Sequence, residues 1–66
     1  MTTLREARES RNVTREHLAQ MAQVSVSTIV RAERDQSVSL KIARKISAAL
    51  ALTPEEQAAI WNGGAP

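Results

Sequence analysis

Cysteine is absent from the 66 residues, which excludes disulfides, thiolate nucleophiles and cysteine-based zinc sites and makes the chain compatible with a reducing compartment. Phe and Tyr are also absent, and Trp61 is the single aromatic residue. His17 is the single histidine, so no second imidazole can share a metal ion and no cysteine can pair with it as nucleophile and base. A helical His17 reads instead as a solvated or phosphate-adjacent side chain. Glycine and proline number two each, and the Gly63-Gly64 pair falls in the tail; that is too little for a linker, and there is no glycine-rich phosphate loop. No apolar run approaches the roughly 20 residues that span a bilayer, and the opening Met1-Thr2-Thr3-Leu4-Arg5-Glu6 has none of the apolar segment of a signal peptide. These absences argue against an enzyme, a metal site, a cofactor and a membrane protein, and predict a soluble, cytoplasmic chain.

What is present points to helices. Of 28 apolar residues 11 are alanine, leaving five Leu, five Val, four Ile, two Met and the Trp to fill a core. Alanine and leucine are good helix formers, and small side chains let helices approach closely, so the composition favours one compact all-α domain over residues 1–66. Residues 1–53 hold all nine basic side chains and five acidic ones, while only Glu55 and Glu56 are charged beyond them. An excess of four positive charges on the main body is compatible with a polyanionic partner.

Hydroxyl residues divide the chain. Thr3-Leu4-Arg5-Glu6 has capping-box spacing and opens a first helix over about 4–10. Thr14 opens a second over 15–22, with Leu18, Ala19 and Ala22 on one face. Ser25 caps a third over 25–34, with Ile29 and Ala32 inward; its β-branched run, Val26, Thr28, Ile29 and Val30, is also compatible with a strand, but Ser25 is a good cap and a strand here would have no partner. Ser39 opens a fourth over 40–50, with Leu40, Ala43, Ile46 and Leu50 inward. Thr53-Pro54-Glu55-Glu56, a capping box with proline at the first helical position, opens a fifth over 54–61, leaving 62–66 as a tail.

The second and third of these helices are separated by two or three residues, which forces a steep crossing with helix-turn-helix geometry. Arg15-Glu16-His17-Leu18-Ala19-Gln20-Met21-Ala22-Gln23-Val24-Ser25-Val26-Ser27-Thr28-Ile29-Val30-Arg31-Ala32-Glu33 resembles the helix-turn-helix of the phage repressor and Cro family, the xenobiotic response element type. The likeness extends to Leu4-Arg5-Glu6-Ala7-Arg8 and to Ser39-Leu40, Ile46, Ala49-Leu50 and Leu52, covering roughly residues 4–60. It implies a compact five-helix lambda-repressor-like domain that binds double-stranded operator DNA as a transcriptional repressor or regulator, usually as a homodimer on a palindromic site, with the third helix in the major groove.

By the same resemblance, Arg8 and Glu33 are expected to form an ion pair tying the first helix to the recognition helix. Thr14 and Arg15 fall where a phosphate would be held at the start of the second helix; Arg15 departs from the glutamine common there. Ser25, Val26, Ser27, Val30 and Arg31 would face bases or flanking phosphates, with Thr28 nearer the backbone. Arg31 is the best candidate for bidentate bonding to guanine O6 and N7, and Val26 for contact with a thymine methyl. Gln23 occupies the connector position usually filled by glycine, which implies either a positive φ or a different turn. Arg34-Asp35 replaces the usual Asn-Gly, adding a phosphate contact from Arg34 and repulsion from Asp35. The following Gln36-Ser37-Val38-Ser39 has no cation, so modest affinity with a shallow salt slope is expected.

Val26 and Val30, four residues apart on an outward stripe, also suit a protein partner. The alternative function is therefore a protein-interaction module or antitoxin-like regulator on the same fold. Ile60 and Trp61 stand as possible dimer contacts or as core. A two-fold dimer through that end would set the recognition helices about one DNA turn, ~34 Å, apart.

Overall fold

Five hydroxyl side chains start five helices. The computed structural model describes residues 3–35 and 38–61; the predicted tail 62–66 and Gln36 and Ser37 of the third connector lie outside them. Helix α1 spans Leu4–Ser10, α2 Arg15–Ala22, α3 Val26–Asp35, α4 Leu40–Leu50 and α5 Pro54–Trp61. Thr3 and Thr53 each form a complete capping box, the hydroxyl accepting from the N–H of Glu6 or Glu56 and that glutamate accepting in return from the threonine N–H. The hydroxyls of Thr14, Ser25 and Ser39 accept from the N–H groups of His17, Thr28 and Ile42. Each bond satisfies a donor that the first helical turn leaves open. Ser25 caps α3 as expected, its carbonyl accepting from Ile29, so the helix proper runs Val26–Asp35 against the expected 25–34. Its β-branched run is helical.

Three helices end through a left-handed residue other than glycine. After α1 it is Asn12, at φ 57°, with Val13 N–H reaching back to Arg8 O at 3.2 Å. Gln23 has φ 57° and ψ 47°, and Ala51 has φ 53° and ψ 47°. In both, the next residue reaches back five positions, Val24 N–H to Ala19 O and Leu52 N–H to Ser47 O, at 3.0 Å each. That reversal returns Val24 and Leu52 to the apolar interior and satisfies otherwise open carbonyls. Of the two possibilities at Gln23, the chain takes the positive φ.

The core is built from one large aliphatic side chain per helix: Leu4, Leu18, Ile29, Ile46 and Ile60 are the largest fully buried groups. Ala7, Ala19, Ala22, Ala32, Leu50 and Leu52 fill the spaces between them. Helix α2 packs against α3 and α4, and α1 against α3, so α2 is the central strut that fixes α3.

Two expectations are corrected. Leu40 is not inward but 67% exposed. Each three-residue step falls about 60° short of a full turn, so after the two steps from Leu40 to Ile46 the two side chains point some 120° apart. Ile46 holds the core and Leu40 is turned out of it. Ile60, considered as a dimer contact, is fully buried and so is closed to any partner. Trp61 is half-buried and donates its indole N–H to the Ser47 hydroxyl at 2.8 Å.

Candidate nucleic-acid interface

Helix α3 is strongly two-sided. Ile29 and Ala32 are fully buried, whereas Val26, Ser27, Val30, Arg31 and Arg34 are exposed. At about 100° per residue these five positions span an arc of roughly 140°, a continuous outward face on a helix whose other side is anchored. Ser25 is exposed at the start of this face and Thr28 is half-buried beside it. Their hydroxyls bond to each other at 2.9 Å, so both serve the local cap as well as lying near the outward surface.

The helix is fixed at its far end by a carboxylate shared between two arginines. Glu33, whose side chain is 5% exposed, accepts from Arg8 Nε on one oxygen and from Arg15 Nε on the other, the latter at 2.9 Å. Arg8 also donates to the Val13 carbonyl at 2.7 Å. The structure thus brings Arg8 and Glu33 together and adds Arg15, a partner the sequence did not suggest. Arg15 is 43% exposed along its side chain. Its guanidinium is held above its usual pKa by the hydrogen bond to Glu33 and then by that carboxylate's charge, so it is positively charged across the working pH range. Two arginines on one carboxylate leave a surplus positive charge, and it resides on the more exposed member, Arg15.

That surplus faces a shallow hollow of about 230 Å³ lined by Arg5, Arg15, Val30, Glu33 and Arg34. Arg5 is exposed and paired with Glu9 at 3.2 Å, a surface contact worth little. The hollow borders the outward face of α3 at Val30 and Arg34, so the helix and its flank form one surface of predominantly positive charge. Thr14, exposed at the cap of α2, directly precedes Arg15 in the chain.

A third arginine was missed altogether. Arg11 donates to the Ala7 and Leu50 carbonyls at 2.9 Å each and to Glu56 Oε1 at 2.8 Å. It thereby joins the ends of α1 and α4 to the start of α5. The only local signal was a basic residue immediately after a helix, where it can bond the last carbonyls. Glu56 is correspondingly held below the usual carboxylate pKa, chiefly by the Arg11 hydrogen bond and then by the Thr53 N–H.

Among the described residues no group of three or more His, Asp or Glu side chains is placed to hold a metal ion, and no helix is long and apolar enough to cross a membrane. The helix-turn-helix family model matches residues 4–57, taking in α1 to α4 and the first turn of α5. No curated protein and no solved structure matches the chain.

Proposed function

The chain belongs to the helix-turn-helix family of phage-repressor and Cro type, a family of DNA-binding transcription regulators rather than of enzymes, and from that premise we propose that it is a cytoplasmic repressor reading a palindromic operator through α3, one copy on each half-site. The observation that carries this reading is the outward face of α3 itself. Val26, Ser27, Val30, Arg31 and Arg34 are exposed together on a helix narrow enough for the major groove. Arg31 is assigned the bidentate contact to guanine O6 and N7, worth about 1–3 kcal/mol of discrimination against a wrong base. Val26 supplies apolar contact to a thymine methyl. Thr14, Arg15 and Arg34 hold backbone phosphates; Arg15 suits that role better than base reading because Glu33 already fixes its Nε. Ser25, Ser27 and Thr28 contribute hydroxyl contacts at the start of the helix.

Exposure of Val26 and Val30 also suits the second reading, a protein-interaction or antitoxin-like module. DNA is favoured because Val30 shares its hollow with Arg5, Arg15 and Arg34. An apolar partner seated there would strip water from three guanidinium groups, whereas phosphates compensate them.

Selection of bound sequences from a random duplex pool, at two salt concentrations, tests the proposal with wild type and Arg31→Ala side by side. Enrichment of a palindrome by the wild type, with preference lost in Arg31→Ala while salt-sensitive affinity persists, is the expected result. Binding without enrichment, or no binding, overturns it and turns attention to Val26→Ser and Val30→Ser in a search for a protein complex.

A further inference from the structure

Two concave surfaces of the molecule differ in what lines them. The groove between α4 and α5, about 430 Å³, has one charged residue in its lining, Arg44. The hollow where α1, α2 and α3 meet, about 230 Å³, is lined by Arg5, Arg15, Glu33 and Arg34, with Val30 its one apolar contributor. The core does not require this convergence. Arg15 is held by Glu33, but among the described residues Arg5 meets only the exposed Glu9, and Arg34 is exposed in the last turn of α3. Bringing them to one hollow sets like charges near one another, which is unfavourable unless an anion compensates them. Glu33 is not that anion, because its carboxylate is already matched by Arg8 and Arg15. Arg5, Arg8, Arg15 and Arg34 against Glu9 and Glu33 leave a surplus of two positive charges.

The number of donors and the size of the surplus say which anion fits. Arg5 and Arg15 engage their carboxylates through Nε, and their terminal Nη groups carry no bond among the described residues; a guanidinium fork binds phosphate oxygens through such donors. A phosphodiester of the DNA backbone offers one charge and two non-bridging oxygens. A terminal phosphate offers close to two charges and three strong acceptor oxygens. Three guanidinium groups from three helices and a surplus of two match the second better than the first, and the volume is several times the roughly 30 Å³ share of a water molecule. We infer that this hollow is a seat for the terminal phosphate of a small free ligand, completed by Arg5. Arg15 and Arg34 are also phosphate-holding residues of the operator reading, so a filled seat and a bound operator exclude each other and the ligand lowers operator affinity. That exclusion rests on the operator reading; the seat itself does not.

Titration of the whole, isotope-labelled chain with inorganic pyrophosphate, followed by nuclear magnetic resonance at constant ionic strength, reads the dissociation constant. Dimethyl phosphate, with one charge and two free oxygens, is the diester control and is expected to bind at least tenfold more weakly, the order of one charge-assisted hydrogen bond. Arg5→Gln and Arg34→Gln are each expected to weaken pyrophosphate binding by roughly tenfold, with shifts in the wild type centred on α1, α2 and α3. Arg44→Gln removes the same charge from the α4–α5 groove and is expected to leave binding unchanged. All three positions are exposed, and circular dichroism checks that each variant is folded. No pyrophosphate binding overturns the inference, as do equal affinities for pyrophosphate and dimethyl phosphate, or an Arg44→Gln loss equal to that of Arg5→Gln. Competition against a random-sequence duplex completes the test: pyrophosphate is expected to displace it from the wild type at lower concentration than from Arg5→Gln, and a duplex retained while the seat is filled overturns the exclusion. If pyrophosphate binds through Arg5 and no duplex binds, only the operator reading fails; if duplex binds and pyrophosphate does not, only this inference fails.

Discussion

Two junctions of the molecule use the same device at different depths. At one, Arg8 and Arg15 converge on Glu33, whose side chain is 5% exposed, and lock α1 and α2 to α3. At the other Arg11 joins α1, α4 and α5 through two carbonyls and Glu56, whose side chain is 26% exposed. Depth decides what each junction does. A buried carboxylate removed from its arginines leaves charge that water cannot reach, so the first junction tolerates no half measures and keeps α3 at one angle. The second is wet enough for water to replace a lost partner, so it adds stability in smaller increments and responds to pH.

The comparison is open to test, beginning with the largest expected effect. Glu33→Gln should destabilise the fold by about 3–5 kcal/mol, measured by urea unfolding, because it strands the buried Arg8 charge; for a domain this small that approaches the whole stability. Arg11→Ala should cost less, about 1–3 kcal/mol, since the carbonyls it leaves are partly reachable by water. Each kcal/mol should appear as a fall of about 4–8 °C in melting temperature. Equal losses in the two variants would abolish the distinction drawn from depth.

At the α4 end, Ala51→Gly should raise stability by up to about 1 kcal/mol, because φ 53° is a conformation that costs a residue with a Cβ and not glycine. A fall in melting temperature would show that the reversal is not strained there.

The smallest effect expected is on acidification. Glu56 has its folded-state pKa lowered by Arg11 and the Thr53 N–H. Its contribution is therefore complete above the ordinary carboxylate range and is lost as pH falls through that range to the folded value. Thermal melts of wild type and Glu56→Gln should converge as pH drops below the carboxylate range and separate above it. A constant gap at all pH values would mean that Glu56 is not the titrating member of the junction.

The helices were legible because their signals are local. Thr3, Thr14, Ser25, Ser39 and Thr53 each sit three residues before a backbone N–H they accept from, a relation sequence spacing contains entirely. The inward sides of α2 and α3 were legible for the same reason. Leu40 was misread because a string of three-residue steps resembles a stripe while drifting around the helix, and only the position of α5 reveals where the groove falls. The destinations of Arg11 and Arg15 were not legible, since Glu56 and Glu33 lie 45 and 18 residues away and nothing local selects them. The Arg8 and Glu33 pairing was anticipated only from family likeness. On the candidate interface, the base-facing positions of α3 were anticipated from family likeness, with only the Val26 and Val30 stripe read from spacing, and the hollow beside Val30 depends on how three helices meet.

A core made of one large aliphatic from each helix has a consequence for how long the protein survives in a cell. With Leu4, Leu18, Ile29, Ile46 and Ile60 joined in one core cluster, no subset of helices has a centre of its own, and loosening any one opens the core that all share. Opening is therefore all-or-none. A protease finds either a closed molecule or a fully available chain, so the rate of turnover tracks the global unfolding equilibrium. A small change in folding free energy would then alter the number of regulator molecules present as surely as a change in synthesis.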